Sequence, residues 1–227
     1  MLQKILTLIK SWLTKPAPKV EEPTKVDPPK KEEPKVEAPK QYAFGSDDWY
    51  FDRYRSFVVD REQLRDLTRA IQVIYDNKNR YVFIEHVTHI PWQMVAAIHW
   101  REASLNFNTC LHNGDPLPGP TRNVPRGRGP FDSWQQAAVD ALRFDGLDKY
   151  NYTDQWTIVD MLKSMEAYNG WGYKKRGLAS CYLWSCTDKI HPSGRYTYDG
   201  KFDSNARTND YLGAACILRE LLPKDKV

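Results

Sequence analysis

One glutamate, Glu102, stands where an apolar helix gives way to a polar turn in PWQMVAAIHWREASLNFNTCLHNGD, residues 91–115. It follows Ile98 by four residues, so it lies on or beside the face that the helix buries. A carboxyl against an apolar wall keeps its proton towards neutral pH, which is what a general acid requires. The plainer alternative is a solvated glutamate paired with Arg101 or His99. Breaking a glycosidic bond needs such an acid, and usually a second carboxylate or a bound water across the sugar. Sugar binding also needs aromatic faces and polar groups. Trp171, Tyr173, Tyr182 and Trp184 supply the first kind, and Asn113, Asn169 and Ser185 the second. Glu166, Asp115 and Asp199 are the candidates for a second carboxylate, and Glu166 reads equally well as a plain helix-end charge.

The elements that must position these groups read as helices. Pro91 suits a first helical position, and Val95, Ile98 and Leu105 recur at helical spacing behind it. A helix over 60–77 carries Leu64, Leu67, Ile71 and Ile74, with Asp60 and Gln63 in a capping-box pattern. The run YVFIEHV fits a strand or a helical turn. Residues 111–131, LHNGDPLPGPTRNVPRGRGPF, are dense in Gly and Pro and predict a long loop beside Glu102. Further helices are expected over 132–143 (capped by Asp132 and Gln135), over 153–168 (stopped by Gly170) and over 206–222. The fold class is mainly α with long aromatic loops.

Composition divides the 227-residue chain near position 40. Residues 1–40 hold seven of the fifteen prolines, and nine Lys against six Asp and Glu, so +3 of the net +4 belongs to them. The remainder is nearly neutral, which argues against a nucleic-acid partner. Residues 1–15, MLQKILTLIKSWLTK, form an amphipathic helix too short to span a membrane. It suits a membrane surface, a partner, a targeting signal, or packing on its own domain. Residues 16–40 predict a disordered Pro/Lys/Glu spacer. Of the cysteines, Cys216 reads as core, and Cys181 and Cys186 either as a pair in an oxidising compartment or as metal ligands with Cys110 or His191. No spacing makes a strong zinc signature, and no metal or cofactor is expected.

Several of these motifs also carry a family resemblance. IHWREASLNF resembles the catalytic helix of the lysozyme-like superfamily of goose-type lysozymes and soluble lytic transglycosylases, in which a Glu is followed closely by a Ser. Glu102 and Ser104 match, and Ala103 stands where the transglycosylases commonly have Ser. EAYNGWGY is similar to the superfamily's cleft-lining Tyr-Asn motif. Tyr168 and Asn169 match it, and Trp171 replaces the usual small residue. The order LHNGDPL, TRNVPRGRGP, YNGWGY, CYLWS and GRYTYDGKF resembles bacteriophage endolysins, with SCYLWS where SPYLWS is more usual. The resemblance spans residues 91–222.

It implies a lysozyme-like helical domain over 41–227 and a muramidase acting on bacterial peptidoglycan between N-acetylmuramic acid and N-acetylglucosamine. Hydrolysis and anhydro-forming transglycosylation stay open. Glu102 would be the proton donor, with Glu166 as second catalytic carboxylate. Ser104, Asn113, Asp115, Tyr168, Asn169, Trp171, Tyr173, Tyr182 and Trp184 would bind substrate. A monomer made in the host cytoplasm and acting in the periplasm or on the wall is implied. A non-catalytic wall-binding virion component and a chitin-cleaving glycosidase are the alternatives.

Overall fold

Among the described residues the chain is mainly helical, with nine α-helices and one two-stranded hairpin. The computed structural model describes residues 41–149, 156–198 and 200–223. The amphipathic helix expected over 1–15, the spacer over 16–40 and Asp199 lie outside the described residues. No described helix is long and apolar enough to cross a membrane.

Helix α1 (Asp47–Ser56) starts at Ser46, whose hydroxyl accepts from the Trp49 amide at 3.2 Å, with Asp47 and Asp48 in the first turn. A 3-10 turn, Arg61–Gln63, precedes α2 (Leu64–Asp76). The capping box expected from Asp60 and Gln63 does not form. Asp60 uses its backbone instead, donating to the Cys186 carbonyl at 3.0 Å and accepting from the Gln63 amide at 2.9 Å. The ambiguous YVFIEHV run is helical and belongs to α3 (Lys78–Thr88), where Tyr81, Ile84 and Thr88 are buried at spacings of three and four.

Helix α4 (Trp92–Ala103) follows, with Pro91 as its N-cap, one position before the first helical residue. Met94 through His99 are buried without interruption, so α4 is an internal helix, packed by α3, α6 and α9. Each Val or Ile side chain buried in this way contributes roughly 1.5–3 kcal/mol.

Helix α5 (Trp134–Phe144) is capped by Ser133, one residue later than expected, and the Gln136 side chain reaches back to the Asp132 amide at 2.9 Å. After a 3-10 turn (Leu147–Lys149), α6 (Ile158–Tyr168) begins at Thr157 with a full capping box to Asp160. The expected beginning at residue 153 lies outside the described residues. Two single turns, α7 (Gly172–Lys175) and α8 (Cys181–Trp184), lead to an antiparallel hairpin of β1 (Ser193–Tyr198) and β2 (Lys201–Arg207).

Helix α9 (Ala214–Leu221) closes the fold. It starts eight residues later than expected. Ala206 belongs to β2, and the backbone of Tyr211–Leu212 is taken up in accepting side chains from α4. Gly213 fixes where α9 begins, because a Cβ there would come within 2.1 Å of the Leu183 carbonyl oxygen. Cys216 is a core residue, and all four cysteines are free and buried, so Cys181 and Cys186 are not paired.

Candidate functional site

Glu102 occupies the last turn of α4, and three constraints hold that turn. The helix stops on two left-handed residues, Ser104 (φ 50°) and Leu105 (φ 61°), which reverse the chain directly after the acid. Below the turn, His99 is fully buried. Its Nδ1 meets the Tyr81 hydroxyl at 3.0 Å and its Nε2 meets the Asn106 carbonyl at 3.3 Å. Those partners select the Nε2–H tautomer, and burial lowers the pKa to about 3, so the ring is a neutral strut and not a partner for Glu102.

Beside the turn, residues 210–213 grip α4. Trp100 Nε1 donates to the Leu212 carbonyl at 2.9 Å and stacks on Tyr211 with ring centroids 4.6 Å apart. Tyr211 returns its hydroxyl to the Trp100 carbonyl at 2.7 Å and to Ser104 Oγ at 3.0 Å.

The Glu102 carboxyl is raised to about 7, chiefly by desolvation and further by the charge of Asp145, while Tyr182 and Arg101 oppose the rise. The buried Tyr182 hydroxyl has no hydrogen bond of ordinary geometry, yet it lies close enough to favour the ionised form of Glu102. The Tyr168 hydroxyl donates to the Leu111 carbonyl at 3.2 Å. Desolvation, with the Glu102 charge next, holds both phenols well above their usual range. Glu102 therefore sits among neutral hydroxyls and keeps its proton towards neutral pH.

Two cavities open beside this group. A cleft of about 650 Å³ is lined by Glu102, His112, Asn123–Pro125, Phe144, Asp145, Tyr168 and Asn169. A second hollow of about 510 Å³ is lined by Arg101, Asn169, Tyr173, Tyr182 and Ser185 together with the hairpin residues Arg195 to Tyr198. Asn169 borders both, and Tyr182 joins the second to Glu102. Glu102 thus lines the first cavity, and the second begins beyond Asn169 and Tyr182.

Loop 111–131 forms the wall of the first cleft, and Asp115 organises it. Its carboxylate accepts from the backbone amides of Arg122 (2.7 Å) and Asn123 (2.8 Å) and from Asn123 Nδ2 (2.7 Å). These bonds hold the Asp115 pKa below the usual carboxylate range despite the opposing effect of burial. Asn113 ties the same loop through its own side chain, to the Asp115 amide at 3.0 Å and to the Val124 carbonyl at 3.2 Å. Gly114, at φ 76°, lets the loop lie against the Glu102 carbonyl, which an added Cβ would approach to 3.4 Å. Asp140 clamps the far side, accepting from Arg128 and from the His112 ring at 2.9 Å.

The expected site residues divide accordingly. Glu102, Tyr168, Asn169, Tyr173 and Tyr182 line one or both of these cavities. Asn113 and Asp115 shape the wall of the first from within. Ser104 faces a separate groove with Trp100 and Leu105. Trp171 is 37% exposed, lies under Lys174, and lines neither cavity.

Two expectations are corrected. Trp184 is fully buried among Trp49 and Phe57, so it is core and not a sugar platform. Glu166 is 2% exposed and accepts the Tyr50 hydroxyl, away from both cavities. The carboxylate that does share the cleft with Glu102 is Asp145, just past α5, with a pKa raised by partial desolvation. Nothing in FDGLDK distinguishes Asp145 from a solvated helix-end charge, and only its position across the cleft does so.

No protein-family model, no curated protein and no solved structure matches this chain.

Proposed function

We propose that the domain over residues 41–223 is a lysozyme-like muramidase that cleaves the glycan strands of peptidoglycan, with Glu102 as general acid. The observation that carries this reading is a desolvated glutamate at the end of α4 that lines a cleft of about 650 Å³ with Asp145, Tyr168 and Asn169, and a second hollow begins at Asn169. A polymer cut within its length must lie across the acid, with sugars on both sides. The sequence motifs around Glu102 and around Tyr168–Asn169 point the same way.

In the proposed mechanism the protonated Glu102 gives its proton to the oxygen of the scissile bond as the C1–O bond breaks. Positive charge then builds on the sugar ring, and the departing sugar takes the proton as a hydroxyl. The Tyr182 hydroxyl favours the carboxylate so formed, and Asp145 supplies negative charge across the same cleft. Attack by water leaves a reducing end. Attack by the substrate's own hydroxyl leaves an anhydro end, and in either case Glu102 can take up the nucleophile's proton.

The test is mass spectrometry of fragments released from purified sacculi by wild-type protein and by Glu102→Gln. The wild type should release disaccharide-containing muropeptides, whose reducing or anhydro ends define the reaction. The variant should be slower by about 10²–10⁴-fold, the usual contribution of a general acid. Equal release by a folded Glu102→Gln protein would overturn the proposal.

A further inference from the structure

The hollow on the hairpin side of Glu102 has a chemistry that a neutral sugar does not need. Arg101 lines it, one residue before the acid. Its guanidinium donates to the carbonyls of Tyr211 (3.2 Å) and Leu212 (3.0 Å), and it lies 5.2 Å from the Tyr182 ring and 5.0 Å from the Tyr211 ring. Its Nε is buried with no hydrogen-bond partner. Among the described residues Arg101 makes no ion pair. The one acid that lines the hollow, Asp210, is paired with Arg195 at 2.7 Å. Arg195 Nε is buried and unpartnered as well.

The walls are tyrosines and backbone. Tyr173 accepts the Tyr196 amide at 3.1 Å, and Arg176 Nε donates to the Tyr196 hydroxyl at 3.2 Å, so the hairpin is fastened over α7. Gly172 permits that closeness, because a Cβ there would come within 2.7 Å of the Tyr196 hydroxyl. Among the residues that line the hollow two arginines stand against one aspartate, and Arg101, whose charge also acts on Glu102 beside it, is held between aromatic rings. Holding a guanidinium away from bulk water without a carboxylate costs free energy, and a ligand carboxylate would recover it through charge-assisted hydrogen bonds.

We propose that this hollow binds a carboxylate carried by the glycan, with Arg101 as its principal cationic partner. The inference rests on the muramidase reading, since peptidoglycan carries free carboxylates on its stem peptides, and on its lactyl groups wherever the stem is absent, whereas chitin carries none. It adds that the domain selects charged strands over neutral ones.

The test uses the Glu102→Gln protein, which binds without cutting, in a pelleting assay with three preparations. These are native sacculi, sacculi whose carboxyls have been converted to amides, and sacculi stripped of stem peptides so that only lactyl carboxylates remain. Native sacculi should be bound about tenfold more tightly than amidated ones, the effect of one partly screened charge-assisted hydrogen bond. The preference should shrink as salt approaches about 1 M. Adding Arg101→Gln should bring the ratio near one, and adding Arg101→Lys, which keeps the charge, should preserve part of it. The stripped sacculi identify the source. Tight binding assigns the lactyl carboxylate that removal of the stem uncovers, so that stem-free strands are the preferred ligand, and loss assigns the stem peptide.

Equal affinity of the Glu102→Gln protein for native and amidated sacculi overturns the inference without any Arg101 variant. Cleavage of both preparations at equal rates by wild type would do the same while leaving the muramidase reading standing. Selective binding with no cleavage by wild type would sink that reading and keep the carboxylate subsite.

Discussion

Glu102→Gln should stabilise the domain above neutral pH while removing its activity. The folded protein raises the carboxyl from 4.5 to about 7, because ionisation there is disfavoured by desolvation. In the unfolded chain the group ionises at its ordinary value. The folded state therefore binds the proton more tightly, and the stability that this confers is complete below about pH 4.5 and lost as pH rises through about 7. At about 1.4 kcal/mol per unit the full difference is about 3.5 kcal/mol, and the solvent that reaches the cleft reduces it to about 1–3 kcal/mol. Glutamine fills nearly the same volume and cannot ionise, so it escapes this loss. Urea unfolding of both proteins at pH 4.5, 6, 7 and 8.5 measures the effect. The difference in unfolding free energy should grow in favour of Gln across that range, and wild-type kcat/KM should fall through the same window as the donor loses its proton. A difference flat with pH would refute the desolvated-acid argument itself, whatever happened to activity.

Asp145 raises the Glu102 pKa through its charge, so Asp145→Asn should move the alkaline limb of the pH–rate profile to lower pH and reduce kcat. Glu166→Gln, buried beside Tyr50, should leave that profile in place, and the reverse pattern would return the second-carboxylate role to Glu166. Asp115→Ala strands the amides of Arg122 and Asn123, and should cost about 1–3 kcal/mol of stability and raise KM, as read by chemical unfolding and turbidity assays. Gly213→Ala forces a Cβ towards the Leu183 carbonyl and should cost about 1–3 kcal/mol or more, visible as a lowered melting temperature.

The helices were legible where burial on one face imposes a three- and four-residue rhythm, as in α2, and where caps are local, as at the Gly170 stop. The hairpin was not. Residues 193–207 show little alternation, because β2 is mostly exposed and β1 half-buried, and Tyr196, besides pairing with Phe202, is held by the side chains of Tyr173 and Arg176. Glu102 stood out because one acid at the end of an apolar helix is anomalous in sequence. Asp145 and Arg101 are ordinary charges until the fold sets one across the cleft and leaves the other without a carboxylate. Trp184 misled for the opposite reason, since composition cannot tell an aromatic that receives a sugar from one that fills a core.

Loop 111–131 closes on itself before its tip. The Gly119 and Phe131 backbones bridge, and Thr121 accepts from Gly127 and donates to Arg128 at 2.9 Å each, so residues 122–127 leave and return through a narrow neck. The residues that fix Glu102 belong to other parts of the chain. Lengthening the tip would add only the logarithmic cost of a larger loop, about 0.6 kcal/mol per doubling. The tip is still anchored by Asp115 to the amides of Arg122 and Asn123 and by Asn113 to the Val124 carbonyl, so a library that keeps those bonds and varies the side chains at 124–127 would reshape the rim of the cleft while leaving α4 and Glu102 in place.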